Sequence, residues 1–151
     1  MLIVFAIVGV FLGFAFVVFF GAPYLPTLSP QIDRALNLAD LKEGETLLEL
    51  GCGDGRVVAA AAKRGYKVVG YELNPVLALF SWVRTRKYRG QVKIVWGNFW
   101  RKKMPEADAI FVFLLQRYMK KLDNKITQEY SGKSIKLVSF AFKVPGRVIK
   151  K

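Results

Sequence analysis

LLELGCGDGR, from Leu47 to Arg56, is the stretch of this sequence that decides the fold. Its first residues are typical of the end of a buried strand, and glycine then occupies every second position from Gly51 to Gly55. A glycine-rich turn between a strand and a helix brings backbone N–H groups against a ligand, and the N-terminus of the helix favours negative charge. The stretch therefore predicts a ligand-binding loop at the carboxyl end of a strand.

The spacing of the glycines argues against two common classes of ligand. A phosphate-binding P-loop needs a Lys-Ser or Lys-Thr pair after its glycines, and none follows here. The dinucleotide fingerprint GxGxxG needs its third glycine one position later, where Arg56 stands. The motif present is E-x-G-x-G-x-G, which begins at Glu49, and a second acid, Glu72, closes the next predicted strand.

Strands and helices alternate around this loop. Strands are predicted at Thr46–Leu50, Lys67–Leu73, Val92–Trp96, Ala109–Leu114 and Lys136–Phe142. Helices are predicted at Gln31–Ala39, Arg56–Arg64, Pro75–Tyr88 and Gln116–Glu129. The alternation predicts an α/β fold, in which a parallel sheet carries helices on both faces.

The segment from Leu2 to Phe20 has no charged or polar side chain. A helix of this length matches a hydrocarbon core of about 30 Å, so the sequence predicts a transmembrane helix. A cleaved signal peptide is disfavoured because the apolar run begins directly after Met1 and is too long. The expected organisation is a transmembrane anchor at residues 1–21, a Pro-rich connector and short helix at 22–45, and a folded domain at 46–151.

The charged side chains of the sequence all lie after this apolar segment. There are 24 Lys and Arg residues against 11 Asp and Glu, which gives a formal net charge of +13 at pH 7. The positive-inside tendency predicts a single-pass membrane protein with its N-terminus outside and its basic domain in the cytoplasm. A membrane lipid surface is the expected partner of that charge. Nucleic acid is disfavoured because the aromatic residues lie mostly in apolar runs.

The chain has one cysteine, Cys52, and no histidine. The usual zinc-binding sets and the Ser-His and Cys-His catalytic pairs therefore cannot be assembled, and no metal site is predicted. These absences exclude many classes of enzyme.

The E-x-G-x-G-x-G loop and Glu72 together resemble motif I and the following acidic position of the class I S-adenosylmethionine-dependent methyltransferases. The resemblance implies a Rossmann-like parallel sheet with strand order 3-2-1-4-5. The sequence stops at Lys151, where the family adds an antiparallel hairpin, so we expect either a minimal sheet of five strands or a truncated version of the domain. The resemblance also implies S-adenosylmethionine as the cofactor, with Glu72 as the ligand of the ribose hydroxyls. The cofactor-binding residues expected on this basis are Glu49, Gly51, Cys52, Gly53, Asp54, Gly55, Glu72, Leu73, Asn74, Asn98 and Phe99.

Some of these residues have alternative roles that the sequence leaves open. Glu49 could organise the loop by accepting backbone N–H groups instead of binding the cofactor directly. Asn98 lies where the fold places the residue that binds the adenine amine, but it could also be a helix cap. Phe99 and Trp100 could cover the adenine ring or pack in the core.

The flanking segments narrow the resemblance to the membrane-anchored protein-lysine methyltransferases, whose eukaryotic members modify the ATP synthase c subunit or the ADP/ATP translocase. The matching elements are the P-Y-L-P-T segment at Pro23–Thr27, the ELNP turn at Glu72–Pro75, the N-F-W segment at Asn98–Trp100, the helix pattern of Phe113, Met119, Leu122 and Lys125, and the F-x-F-x-x-P ending at Phe140–Pro145. Two departures are Asn98, where the family commonly has Asp, and Arg147, which replaces an aromatic residue.

This closer resemblance implies methylation of lysine on a membrane protein, with Tyr24 and Thr27 as candidate substrate contacts. No catalytic base is evident in the sequence. A prokaryotic plasma membrane is preferred to the mitochondrial inner membrane because no Arg- and Ser-rich targeting segment precedes the apolar run. The alternatives are methylation of a lipid or quinone-type small molecule, and an inactive membrane adaptor that binds S-adenosylmethionine.

Overall fold

The computed structural model of the chain describes residues 1, 3–5, 7–9, 11 and 27–147. We number the helices and strands of residues 27–147 in chain order. The helices are α1 (Ser29–Ala39), α2 (Arg56–Lys63), α3 (Pro75–Thr85) and α4 (Gln116–Glu129). The strands are β1 (Thr46–Leu50), β2 (Lys67–Glu72), β3 (Val92–Trp96), β4 (Ala109–Val112) and β5 (Lys136–Ser139). Short 3₁₀ turns lie at Arg86–Tyr88 and Phe99–Arg101.

The strands form one parallel sheet in the order β3-β2-β1-β4-β5, which confirms the predicted order. All five strands therefore end at the same edge of the sheet. The chain proceeds outward from β1 through β2 to β3 and then returns to the other side of β1 for β4. Ligands of open α/β sheets bind at such a reversal, beyond the carboxyl ends of the strands.

The core lies on both faces of the sheet around its central strand, β1. Alternate residues of a strand point to opposite faces, so Leu47 packs with α1 and α2 while Leu48 packs with α4. Helix α1 covers its face with residues at helical spacing: Ile32, Ala35, Leu36 and Ala39. Helix α4 covers the other face with Met119, Leu122 and Ile126. Helices on both faces hold the carboxyl edge of the sheet in place.

Several boundaries differ from the prediction by a few residues. Helix α1 begins at Ser29 because a proline, Pro30, fits the first turn. Strand β5 ends at Ser139, three residues before the predicted end at Phe142, because Ala141 adopts a left-handed backbone with φ of 73°.

The predicted transmembrane helix over Leu2–Phe20 is contradicted. Among the residues that the structure describes, no helix is long and apolar enough to cross a membrane. Residues 12–26 lie outside the described part of the chain. The predicted single-pass localisation and orientation depended on that anchor and are contradicted with it, and the predicted lipid partner is not supported.

Candidate functional site

The glycine loop leaves β1 at the carboxyl edge of the sheet, and its glycines have left-handed backbone conformations. The φ angles are 88° at Gly51, 55° at Gly53 and 78° at Gly55. A Cβ atom at Gly55 would lie 2.3 Å from the Oγ of Ser81 in α3, so only glycine allows this close packing. A Cβ atom at Gly51 would meet nothing within 4 Å, so the loop presents open space there.

Glu72 ends β2 and holds the loop in shape. Its Oε2 accepts a hydrogen bond from the Gly53 N–H at 2.8 Å, and its Oε1 accepts one from the Asn74 N–H at 2.8 Å. Burial raises the pKa of Glu72, although the N–H groups that bond to the carboxylate oppose this shift. Each carboxylate oxygen has a second lone pair, so Glu72 can accept further hydrogen bonds from a ligand.

Glu49 has a different environment from Glu72. Its side chain is buried, and its Oε2 has no hydrogen-bond partner among the described residues. The carboxyl group accepts a hydrogen bond from the Val58 N–H in the first turn of α2. Burial raises the pKa of Glu49 well above its ordinary value, and the neighbouring carboxyl groups of Glu72 and Asp54 raise it further. Glu72 therefore accepts the hydrogen bonds of the Gly53 and Asn74 N–H groups, while Glu49 keeps one buried acceptor unsatisfied among the described residues.

Asn74 follows β2 and contributes a buried donor. Its Oδ1 caps helix α3 by accepting hydrogen bonds from the N–H groups of Val76 at 2.9 Å and Leu77 at 3.3 Å. Its Nδ2 is buried without a partner among the described residues. Buried polar atoms in native proteins nearly always have hydrogen-bond partners. The unsatisfied atoms of Glu49 and Asn74 therefore indicate a polar ligand beside the glycine loop.

Asp54 lies within the loop but is occupied by two arginines. Its carboxylate accepts hydrogen bonds from Arg56, with Nε at 3.0 Å and Nη2 at 2.9 Å, and from Nη2 of Arg84 at 2.9 Å. Burial alone would raise the pKa of Asp54, but the two guanidinium groups outweigh it and lower the pKa. Arg84 also donates through Nε to the Asp54 backbone carbonyl at 2.8 Å, which ties the loop to α3. Arg84 is not predicted as a site residue from the sequence, because nothing in the local pattern connects α3 to Asp54.

Cys52 is a packing residue of the loop. Its Sγ lies 3.6 Å from the Oγ of Ser81, and a Cβ atom at Gly70 would be 3.0 Å from that sulfur. Burial raises the pKa of the Cys52 thiol well above its ordinary value, so the group is an unreactive thiol. A contact between Cys52 and a ligand would therefore use its backbone.

The residues at the end of β3 include an exposed aromatic residue, Trp96, that is not among the predicted site residues. Asn98 caps the short 3₁₀ turn through its Oδ1, which accepts a hydrogen bond from the Trp100 N–H at 2.9 Å. The ring of Phe99 is partly buried against the core. Trp96 is 65% exposed, and its Nε1 donates to the Leu73 carbonyl at 3.1 Å. Because Trp96 pairs in register with Glu72, it places an aromatic ring beside that carboxylate at the carboxyl edge.

Of the two predicted substrate contacts, Thr27 is the one that lies within the described residues. Thr27 is buried, and its backbone carbonyl accepts a hydrogen bond from Arg56 Nη1 at 3.4 Å. Tyr24 lies outside the described residues. An open cavity of about 380 Å³ lies behind the loop between α1, α2 and α3 and not at the strand ends. Its lining residues are Ser29, Ile32, Asp33, Arg56, Ala60 and Arg84.

Known proteins are similar to this chain in sequence and in fold. The sequence profile of the ANTKMT methyltransferase domain family matches residues 49–151. The human lysine N-methyltransferase of the ATP synthase c subunit is 33% identical over 111 residues, which cover 71% of this chain and 46% of that protein. A protein-lysine N-methyltransferase of Saccharolobus islandicus (strain REY15A) is 31% identical over 128 residues, which cover 82% of this chain and 79% of that protein.

Solved structures show the same architecture. An RNA methyltransferase from Salinibacter ruber, in complex with S-adenosyl-L-homocysteine, superposes with a TM-score of 0.72 and 28% sequence identity, covering 84% of this chain and 87% of that chain. The chain spans about half the length of the mammalian curated relatives that it matches.

Proposed function

The chain belongs to the ANTKMT methyltransferase domain family, a family of class I S-adenosylmethionine-dependent methyltransferases, and on that premise we propose that it methylates lysine side chains of a protein. The observation that carries the cofactor part of the proposal is the buried, unsatisfied acceptor of Glu49 beside the glycine loop. The relatives named as protein-lysine methyltransferases support lysine as the acceptor.

The carboxylates and backbone groups of the site suit S-adenosylmethionine. S-adenosylmethionine has a sulfonium charge, a free amino group and no phosphate, so it is matched by carboxylates and backbone groups more than by lysine. In our proposal Glu49 and the backbone of Gly51 and Gly53 receive the methionine part, and Glu72 receives the ribose hydroxyls. The adenine ring would then meet the residues at the ends of β2 and β3: Leu73, Trp96, Asn98 and Phe99.

The chain's contribution to the reaction is to position the acceptor. When bound by Glu49, Glu72 and the loop backbone, the cofactor would supply an activated methyl group for the lysine nitrogen, and its sulfur would keep the electron pair of the carbon–sulfur bond. The nitrogen must be neutral to react, and the proton that the product loses passes to solvent. Apolar surroundings lower the pKa of an amine and favour its neutral form. In this proposal, alignment of the lysine nitrogen with the methyl group at the strand ends supplies most of the rate enhancement.

RNA methylation is the second candidate function. It is favoured by the net charge of +13 and by the similarity to the Salinibacter ruber enzyme. Against it, the human and Saccharolobus islandicus relatives are named as lysine methyltransferases.

Isothermal titration with S-adenosylmethionine tests the cofactor part of the proposal. Replacing Glu72 by glutamine removes a charge that holds the loop and, in the proposal, the ribose. We expect the dissociation constant to rise at least about tenfold, since hydrogen bonds to charged groups contribute about 1.5–3 kcal/mol. Glu106→Gln makes the same chemical change at an exposed site and should bind like wild type. Absence of binding by the wild-type chain would contradict the proposal.

A deuterated methyl donor identifies the acceptor. The chain is incubated with a protein extract, RNA and a lipid extract, and each fraction is analysed by mass spectrometry. We expect deuterated methyl-lysine in the protein fraction, and a detergent-solubilised ATP synthase c subunit is the first single acceptor to test. Label confined to RNA would establish the second candidate, and label confined to lipid would reject both.

A further inference from the structure

Phe113 and Phe140 form an aromatic pair at the edge of the sheet that carries the glycine loop. They directly follow β4 and β5, and their ring centroids lie 4.9 Å apart at an interplanar angle of 87°. The Phe140 N–H donates to the Val112 carbonyl at 2.9 Å, which extends the β4–β5 pairing past the strand ends. Val112 pairs with Leu50 on β1, so the next position in the same row is Gly51, where the glycine loop begins.

The two rings lie on one face of the sheet and are only partly buried. Phe111, two residues before Phe113 on β4, packs in the cluster between the sheet and helices α1 and α2. Because side chains alternate along a strand, Phe113 points to that same face, and Phe140 packs against that same cluster. Phe111 is 2% exposed, whereas both rings of the pair retain accessible surface at the carboxyl edge. The two rings therefore lie at the edge of the hydrophobic core, next to the glycine loop.

A strained turn holds Phe140 in this position. Ala141 has φ of 73°, a left-handed conformation that alanine rarely adopts. The turn is closed by the Ser139 hydroxyl, which donates to the Phe142 carbonyl at 2.6 Å. From α4, the Gln116 Nε2 donates to the Lys143 carbonyl at 3.3 Å. Strained backbone of this kind persists where the surrounding structure fixes it and is concentrated at functional sites.

We propose that Phe113 and Phe140 receive the alkyl chain of the substrate lysine and direct its amine towards the glycine loop, and that the turn at Ala141 keeps Phe140 in place for this purpose. The inference rests on the proposed function and assigns positioning residues to it. The methylene groups of lysine pack readily on apolar rings while the nitrogen extends beyond them. Contact with two rings also removes water from the amine, which favours its neutral form.

Leucine substitutions test the pair. Phe113→Leu and Phe140→Leu keep apolar volume but remove the ring, and Phe80→Leu makes the same change on the exposed face of α3. The readouts are the rate of methyl-lysine formation in a protein extract supplied with deuterated donor, and saturation-transfer NMR of Nα-acetyl-lysine amide with S-adenosylhomocysteine present. We expect both leucine variants at the pair to lower the rate about tenfold and to weaken the NMR signals of the lysine methylene groups. Phe80→Leu should behave like wild type, and Phe140→Tyr should retain most of the rate.

Relief of the strain provides an independent test. Ala141→Gly allows the left-handed turn without strain, so the melting temperature should rise or stay constant. If the turn serves the substrate, the more mobile Phe140 lowers the rate several-fold although the protein is no less stable. A turn that is merely structural would leave the rate unchanged.

The outcomes separate this inference from the proposed function. Methylation by the wild-type chain with full rates in both leucine variants and in Ala141→Gly would overturn the inference alone. Absence of methyl-lysine with the wild-type chain would overturn the proposed function itself. Titration with S-adenosylhomocysteine should give the same dissociation constant for all variants, and a large change at Phe113 or Phe140 would assign the pair to the cofactor instead. If a leucine variant loses its cooperative melting, Phe140→Tyr and Ala141→Gly still decide the question.

Discussion

Glu49 and Glu72 show how two acids of one motif acquire different roles. Glu72 satisfies the N–H groups of Gly53 and Asn74, whereas Glu49 keeps one oxygen buried without a partner among the described residues. The sequence identifies both acids but cannot decide between the roles. That decision depends on which carboxylate lies against the Gly53 N–H, which is set by the left-handed turns of the loop.

Replacement of Glu49 by glutamine should stabilise the chain in the absence of cofactor. An ionised Glu49 is buried beside Glu72 and Asp54, and an amide removes the charge while its oxygen can still accept from Val58. We expect the free energy of unfolding at pH 8 to rise by about 1 kcal/mol, as measured by urea denaturation. Affinity for S-adenosylmethionine should fall in the same variant. A parallel loss of stability and affinity would contradict this account.

The pH dependence of stability follows from the same residue. The folded state raises the pKa of Glu49 above its ordinary value of 4.5, so between that value and the raised pKa the folded chain binds more protons than the unfolded chain. The stability that this proton contributes is complete below pH 4.5 and is lost as the pH rises through the raised pKa. The slope of the unfolding free energy against pH should be shallower in Glu49→Gln. It should not be zero, because the pKa of Glu72 is also raised in the folded state. An unchanged slope would exclude Glu49 as the titrating group.

At the scale of the element, the start of helix α3, with Asn74 as its N-cap, is predicted directly by the sequence. An asparagine followed by proline is a strong start signal, and the helix begins at Pro75 as predicted. The turn after β5 has no such signal, because a left-handed alanine is visible only in the folded backbone. The predicted transmembrane helix from Leu2 is contradicted, because no helix in the described part of the chain is long and apolar enough to cross a membrane.

Substitutions of Asn74 should separate the stability of α3 from cofactor binding. Asn74→Ala removes the cap and should lower the free energy of unfolding by about 1 kcal/mol. Asn74→Ser keeps a capping oxygen and should recover most of that loss. Both variants lack the buried Nδ2 donor, so both should bind S-adenosylmethionine more weakly. Denaturation and titration calorimetry measure the two effects, and full affinity in Asn74→Ser would show that the donor serves no ligand.

At the scale of the whole molecule, the chain carries a net charge of +13, while the acids of the candidate site, Glu49, Asp54 and Glu72, are buried. Salt screens exposed charges over about 10 Å at 0.1 M and affects buried pairs much less. The charge therefore acts on the approach of an acidic macromolecule, and the cofactor site is insulated from it.

Ionic strength should consequently affect the acceptor more than the cofactor. Between about 50 and 300 mM KCl we expect kcat/KM for an acidic protein acceptor to fall several-fold, because screening slows association. The dissociation constant of S-adenosylmethionine should change less than about twofold over that range. An equal loss in both quantities would indicate that surface charge acts on the cofactor site itself.

The guanidinium of Arg56 joins the glycine loop to the point where the N-terminal part of the chain enters the domain. It binds Asp54 on one side and the Thr27 carbonyl on the other. A displacement of the chain at Thr27 would therefore act directly on the Asp54 side of the glycine loop, as well as on helix α1, which follows Thr27. The position of Thr27 and the conformation of the candidate cofactor loop are coupled in this way.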